Sequence, residues 1–316
     1  NEIIFTGGGT EANNLVLWNL IHQKKKHVIT SVIEHPAVLT VLDSLVEFGV
    51  TYTAVGVDET GMVNPDDVQN AITEKTGLIS IMLANNEMGT LQPIAEIAAI
   101  ANKYKIIMHT DAVQTLGKIP VNSKELGADC MSFSAHKFYG PKGVGALFIK
   151  KDLKLKPLII GGNQERRMRA GTENTSGISG LGLAAELATN NLHKTQSHLI
   201  SLTHAFKAQI THIYPEVIFN GHPEKQLPGL VNVSFPRFRN DLLMIHLDRQ
   251  GIAVSSGSAC SSGDIKPSRI LSSMGITDDI NNSTLRISFG IDNSLQDMEY
   301  LIKCFKSTFE RIRSAV

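Results

Sequence analysis

Short apolar runs alternating with helix-forming stretches fill the first 150 residues, and this alternation restricts the fold more than any other feature. Strands are expected at 2–6, 27–31, 51–55, 78–83, 106–109, 130–134 and 146–149, with helices at 11–20, 37–48, 65–71 and 93–104 between them. Parallel strands need long crossovers, so the pattern implies a mainly parallel α/β sheet flanked by helices. Pro36, Pro65 and Pro93 stand at or near the first helical position, where a missing N–H costs little. From 156 to 175 the chain becomes irregular and rich in Gly and Arg, and one long helix is expected over 178–213. Further strands at 217–220, 230–234, 253–255 and 283–288 read as a smaller C-terminal α+β domain. The boundary is placed inside the long helix, giving a large domain 1–195 and a small domain 196–316. The chain starts at Asn1 and runs directly into Ile3-Ile4-Phe5, so a preceding segment is expected.

In open α/β sheets, ligands gather beyond the carboxyl ends of the strands. Five polar motifs fall there: Gly7-Gly8-Gly9-Thr10, Glu34-His35, Asn85-Asn86-Glu87, Asp111 to Gln114, and Ser134 to Lys137. The glycine turn can admit an anion to a helix N-terminus, with Ser134 and His136 completing a cradle, although an ordinary capped turn fits equally well. Its spacing is neither GxGxxG nor GxxxxGK[ST], which disfavours a dinucleotide fold and a P-loop.

A lysine after one strand partnered by an aspartate after another suits pyridoxal phosphate. The amine forms an imine with the cofactor aldehyde, and a buried carboxylate keeps the pyridine nitrogen protonated. Lys137 and Asp111 are the candidates, with Gln114 placed for the phenolic oxygen and His35 for stacking and proton transfer. The plainer readings are a surface-loop lysine, a carboxylate paired with a structural arginine, and a histidine that caps a helix or fills a core. Cys260, in Ser255-Ser256-Gly257-Ser258-Ala259-Cys260, lacks bulky cover and is a candidate reactive thiol, while Cys130 and Cys304 lie in apolar patterns and read as inert. Arg286 interrupts an apolar strand, and its planar fork suits an amino-acid carboxylate or a structural salt bridge.

Bulk properties narrow the partners. Thirty basic and thirty acidic residues cancel, which gives no support for nucleic acid or a membrane surface. Three cysteines without a CxxC pair indicate neither a disulfide scaffold nor a zinc ribbon and fit a reducing, cytoplasmic compartment. No apolar run approaches the roughly 18–20 residues needed to span a bilayer. His193, His198, His204 and His212 form no ligand set, so no metal is expected.

With these motifs assembled, the chain closely resembles the cysteine desulfurases, pyridoxal-phosphate enzymes of the class V aminotransferase group. The likeness runs from Phe5-Thr6-Gly7-Gly8-Gly9-Thr10-Glu11-Ala12-Asn13-Asn14 through Ser31 to His35, Asn85-Asn86-Glu87, His109 to Gln114, Ser132 to Gly140, Met168 to Asn174 and Ser255 to Ser262, although no role is attached to Asn13. It implies a fold-type I large domain and the conversion of L-cysteine to L-alanine with a persulfide on Cys260. It further implies that Lys137 carries the cofactor, Asp111 meets the pyridine nitrogen, Gln114 the phenolic oxygen, and His35 the ring. Gly9, Thr10, Ser134 and His136 would hold the phosphate, with Thr172 supplied by the neighbouring subunit of a homodimer. Asn86 and Arg286 would grip the substrate carboxylate. Sulfur would pass to an iron–sulfur scaffold protein, to tRNA thiolation or to another acceptor, and Cys260 would be able to ligate a transient iron–sulfur cluster. Gly7 and Gly9 stand where the family usually has Ser and Ala. Asn163, Arg167 and Ala170 stand where Gly, Gly and Ser are common, next to the expected intersubunit contact. The rival readings are a selenocysteine lyase or aminotransferase of the same fold, and a truncated, non-catalytic sulfur-transfer partner.

Overall fold

Strands β1 (Ile3–Thr6), β2 (His27–Ser31), β3 (Thr51–Val55), β4 (Thr76–Ser80), β5 (Ile107–Asp111), β6 (Cys130–Ser134) and β7 (Gly145–Ile149) form one sheet in the order β1-β7-β6-β5-β4-β2-β3. Strands β2 and β4 are buried at every residue, as interior parallel strands must be, whereas β3 at one edge is exposed at alternate positions. The pairs β2–β3, β2–β4, β4–β5 and β5–β6 are parallel, while β7 is antiparallel to both β6 and β1. Strand β7 alone therefore runs backwards, and the carboxyl ends of the other six share one edge of the sheet. The mainly parallel sheet expected from the apolar alternation is the one found.

This is a computed structural model, and it describes residues 2–257 and 267–314. Two units separate. The first comprises Asn1–Asp58, Met62–Asn86 and Leu91–Leu192; the second comprises Glu59–Gly61, Glu87–Thr90 and His193–Val316.

In the first unit, successive strand residues enter different cores. Val28, Leu78, Cys130 and Leu147 join Leu15 and Val16 of helix Gly9–Trp18 and Val38 and Leu42 of helix Pro36–Leu45. Their neighbours Ile29, Ile79 and Met131 join Val68 of helix Pro65–Asn70 and Ile94 and Ile97 of helix Ile94–Lys103. A period of two along the strands thus covers both faces of the sheet with helices. The free edge of β1 is closed by side chains: Phe5 N–H donates to Glu165 Oε2 at 3.0 Å, and Arg166 Nη2 donates to Ile3 O at 2.7 Å. Holding them there puts Glu165, Arg166 and Arg167 at φ of 43°, 56° and 67°. Such left-handed conformations cost about 1–2 kcal/mol per residue, which is spent on satisfying an edge that would otherwise template another strand.

The second unit carries a three-stranded antiparallel sheet of β8 (Ile218–Asn220), β9 (Leu230–Ser234) and β10 (Thr284–Ser288), with β9 central and wholly buried. Its core is aromatic: Phe206, Phe235, Phe305 and Phe309 pack together, with Phe235 and Phe305 at 5.0 Å between ring centroids.

Two expectations are corrected. The helix over 178–213 is two helices, Thr175–Asn190 and Leu192–Ile213. Asn191 turns its backbone to ψ 5°, its N–H still making the helical bond to Leu187 O, while its side-chain Nδ2 donates to that same oxygen in competition with the ladder. The strand at 253–255 is a single bridge between Ser255 and Arg286. The small residues Ser256 and Gly257 that follow offer nothing to pack a longer ladder.

Candidate active site

All five loops named from the sequence leave carboxyl ends on the one edge. The first is the glycine turn after β1. Thr6 Oγ1 donates to Gly8 O at 3.0 Å, and Gly8 adopts φ 156°, ψ −179°, a region essentially restricted to glycine. A Cβ on Gly9 would lie 2.5 Å from Val113 Cγ2, so with the Val113 side chain as it stands glycine lets the helix begin this close to the turn after β5. Gly7 N–H is taken by Glu11 Oε2 at 2.7 Å, and Arg169 Nε holds the other carboxylate oxygen at 3.0 Å. The first-turn amides beyond it have no intrahelical acceptor. They border a 620 Å³ cavity lined by Gly8, Gly9, Thr10, Ser134, His136 and Lys142 among others. Ser134 Oγ and His136 Nδ1 are hydrogen-bonded at 2.9 Å on its far side. Burial first, then the charges of Lys137 and Lys142, lower the His136 pKa. Amides, a hydroxyl, an imidazole and a lysine around one hollow suit a phosphate.

Asp111 closes β5 and is buried. Its Oδ2 accepts from Asn13 Nδ2 at 2.7 Å and its Oδ1 from Val113 N–H at 3.0 Å. Burial pushes its pKa up. The two hydrogen bonds, from Val113 and Asn13, and the charges of His35 and Lys137 pull the other way. Both hydrogen-bond donors are neutral, and a pyridinium N–H would supply the charge-assisted donor that holds this carboxylate ionised.

His35 stands at the N-terminus of helix Pro36–Leu45, where its Nδ1 accepts Ala37 N–H at 3.0 Å. The plain reading, a helix cap, is therefore correct, and it leaves the functional one intact. With Nδ1 committed as acceptor, the neutral ring carries its proton on Nε2. Burial lowers its pKa, Asp111 raises it and Lys137 lowers it, so the three groups lie within electrostatic reach of one another.

Lys137 sits in the 3₁₀ turn Ala135–Phe138 that follows β6, on an exposed position. Tyr139, at φ 66°, ends that turn, and Gly140 lies so close that a Cβ would meet Ala135 Cβ at 2.9 Å. Gln114 is half-buried in the turn after Asp111, Asn86 half-buried beyond β4, and Thr172 exposed. Arg286, in the second unit, lies on β10 and pairs in register with Asn232. Cys260 lies outside the described residues. Cys130 and Cys304 are buried, and burial followed by the charge of Asp129 raises the Cys130 pKa.

Two contributors escaped the sequence reading. Asn13 is the side-chain donor to Asp111, and the signal for it is a polar residue on the buried face of helix Gly9–Trp18, where a buried amide needs a partner. Lys142, a loop lysine outside the motifs named above, borders the cavity.

Beneath the site, His109 is buried between two hydroxyls, Ser80 Oγ at 2.8 Å from Nδ1 and Ser132 Oγ at 3.0 Å from Nε2. Burial lowers its pKa from 6.5 to about 3. The unfolded chain therefore binds a proton between those values that the folded chain refuses, and stability falls with pH by up to about 1.4 kcal/mol per unit. Urea unfolding at pH 7 and pH 5 should show this loss, with a shallower dependence in His109→Gln; equal slopes would disprove the assignment.

The family model for aminotransferase class V matches residues 1–301, and the chain belongs to that family. It is 44% identical over 317 aligned residues to the cysteine desulfurase IscS of Dictyoglomus turgidum, covering 99% of this chain and 80% of that protein. A solved NifS-like protein superposes with a TM-score of 0.91 at 36% identity, covering 98% of this chain and 82% of its own. A structure of SspA in complex with cysteine gives 0.77 at 34% identity, covering 91% and 81%. Within the family, this likeness places the chain among the cysteine desulfurases, with the fold-type I architecture that the resemblance implied.

Proposed function

We propose that this chain is a pyridoxal-phosphate-dependent L-cysteine desulfurase that passes sulfur through Cys260. The observation that carries the reading is the grouping of Asp111, His35 and Lys137 within mutual electrostatic reach, beside a glycine turn that opens a helix. Likeness to enzymes named cysteine desulfurase, and to a protein solved with cysteine bound, supports the substrate.

Lys137 would hold the cofactor, Asp111 would meet its ring nitrogen, and the Gly9 and Thr10 amides, Ser134 and His136 would take its phosphate. Gln114 would serve the phenolic oxygen. The bound cofactor supplies an electron sink that makes carbon–sulfur cleavage accessible. A cationic N–H beside Asp111 would favour its ionised form, and the carboxylate would in turn keep that sink strong. His35 would stack on the ring and has its Nε2–H available as a hydrogen-bond donor, since Nδ1 is tied to the helix. Asn86 and Arg286 would orient the substrate carboxylate. The Cys260 thiolate attacks the substrate sulfur. A sulfur–sulfur bond forms and the carbon–sulfur bond breaks. The electron pair stays with carbon, which takes a proton, so cysteine plus a thiol becomes alanine plus a persulfide. Among the described residues no helix is long and apolar enough to cross a membrane. A cytoplasmic homodimer, with Thr172 reaching the partner's phosphate and an iron–sulfur scaffold as acceptor, completes the proposal.

The test is alanine formation from L-cysteine with added pyridoxal phosphate, in this chain and in Cys260→Ala. Alanine that forms in the first and disappears in the second supports both enzyme and nucleophile. An unchanged rate in the variant would remove Cys260 from the mechanism. A preference for selenocysteine, or a keto-acid product, would move the chain to a lyase or an aminotransferase.

A further inference from the structure

Helix Gly9–Trp18 meets the site at two heights. Its first residues, Gly9 and Thr10, border the hollow suited to phosphate. One turn further on, Asn13 Nδ2 donates to Asp111 Oδ2 at 2.7 Å. Gly9 and Asn13 are both buried and stand four positions apart, so they share a face of the helix, about 6 Å from each other along its axis.

Asparagine is a costly residue for that face. The other buried residues of the helix are Gly9, Ala12, Leu15, Val16 and Leu17, and Asn13 is 1% exposed among them. Its amide competes for backbone groups, which makes asparagine a poor helix former. Asn14 and Asn19 show that competition: each turns Nδ2 back to the carbonyl four residues earlier, Thr10 O at 2.8 Å and Leu15 O at 2.7 Å. Asn13 sends its amide across to β5 instead, and its Oδ1 is left buried with no hydrogen-bond partner. A buried acceptor without a donor destabilises the fold. Leucine, of similar size, would fill the space without that penalty; what it lacks is a donor aimed at Asp111. The second hydrogen bond to this carboxylate, from Val113 N–H to Oδ1 at 3.0 Å, comes from the turn that carries Asp111 itself. Asn13 therefore ties the carboxylate to a different element. His35 and Lys137, which stand after β2 and β6, bear on Asp111 by their charge.

We propose that Asn13 is a positioning residue for the cofactor, tying Asp111, the partner of the ring nitrogen, to the same helix whose first turn takes the phosphate. One rigid element then sets the spacing between the two anchors. The inference rests on the pyridoxal-phosphate reading given above.

The test measures binding without turnover, by equilibrium dialysis of wild type, Asn13→Leu and Asn13→Ala against two ligands. One is pyridoxal phosphate. The other is its analogue with carbon in place of the ring nitrogen, which keeps the phosphate and the aldehyde but offers Asp111 no ring N–H. Both variants are expected to bind pyridoxal phosphate about ten-fold more weakly, in the range of one hydrogen bond to a charged group, and the analogue within about two-fold of wild type. An equal loss for both ligands would make Asn13 a packing residue and overturn the proposal. Unchanged affinity for pyridoxal phosphate would overturn it as well. Asn13→Ala leaves a cavity, and if it does not fold, Asn13→Leu, which fills the space, decides the matter. A wild-type chain that binds neither ligand would overturn the cofactor reading itself, a failure distinct from that of Asn13 alone.

Discussion

Lys137→Ala is expected to lower alanine formation from L-cysteine by about 10³-fold or more, because the proposed mechanism has Lys137 supply both the covalent attachment and an acid–base group worth about 10²–10⁴ by itself. The lysine stands on a turn fixed by its neighbours. Ala135 and Phe138 are buried and Gly140 packs against Ala135, while Lys137 itself is exposed. Removing an exposed side chain leaves the turn in place, so the unfolding free energy changes by less than about 0.5 kcal/mol. Lys137→Arg keeps the charge and does not rescue, since a guanidinium is not deprotonated in proteins and cannot serve as the amine nucleophile. Activity of the Arg variant within ten-fold of wild type would exclude the covalent role.

Asp111→Asn separates charge from shape. The Asn oxygen still accepts Val113 N–H, and its new amide group needs an acceptor where Asn13 now donates. Asn13 Oδ1 is buried with no hydrogen-bond partner, so a flip of the Asn13 amide presents that oxygen to the newcomer. The substitution also removes a buried carboxylate whose pKa burial raises. The fold is therefore expected to be at least as stable as wild type, while alanine formation falls by about 10²-fold, as when one electrostatic partner of a reacting group is lost. Cofactor absorbance and urea unfolding, measured on the same sample, separate the two effects. A large loss of stability with cofactor binding unchanged would mean that Asp111 serves the fold alone.

Much of this was legible from residue order. Strands β5 and β6 announce themselves as apolar runs that end in a polar motif, and the shared direction of the strands collects those motifs at one edge. Asp111 was readable as buried because it closes an apolar strand. What escaped depended on contacts far apart in sequence or on local competition. Nothing near Asn13 marks it as the partner of a residue 98 positions away. The break at Asn191 turns on which of two acceptable backbone hydrogen-bonding patterns wins, and the helical periodicity on both sides hides it. His35 was readable as a cap or as a site residue, but not as both, because the choice of ring nitrogen is a matter of geometry.

The second unit includes Glu87–Thr90 as well as the chain after His193. That short stretch is stitched in at every residue. Asn232 Nδ2 donates to Glu87 O and Gln226 Nε2 to Met88 O, Leu227 N–H donates to Gly89 O, and His222 N–H donates to Thr90 Oγ1. A ribosome makes those four residues long before His222, Gln226, Leu227 and Asn232, which bond them, so the unit's final hydrogen bonds close only when that part of the chain has emerged. For protein engineering the consequence is that 193–316 is not a transferable cassette. Excised or grafted onto another enzyme, it arrives with four acceptor atoms missing.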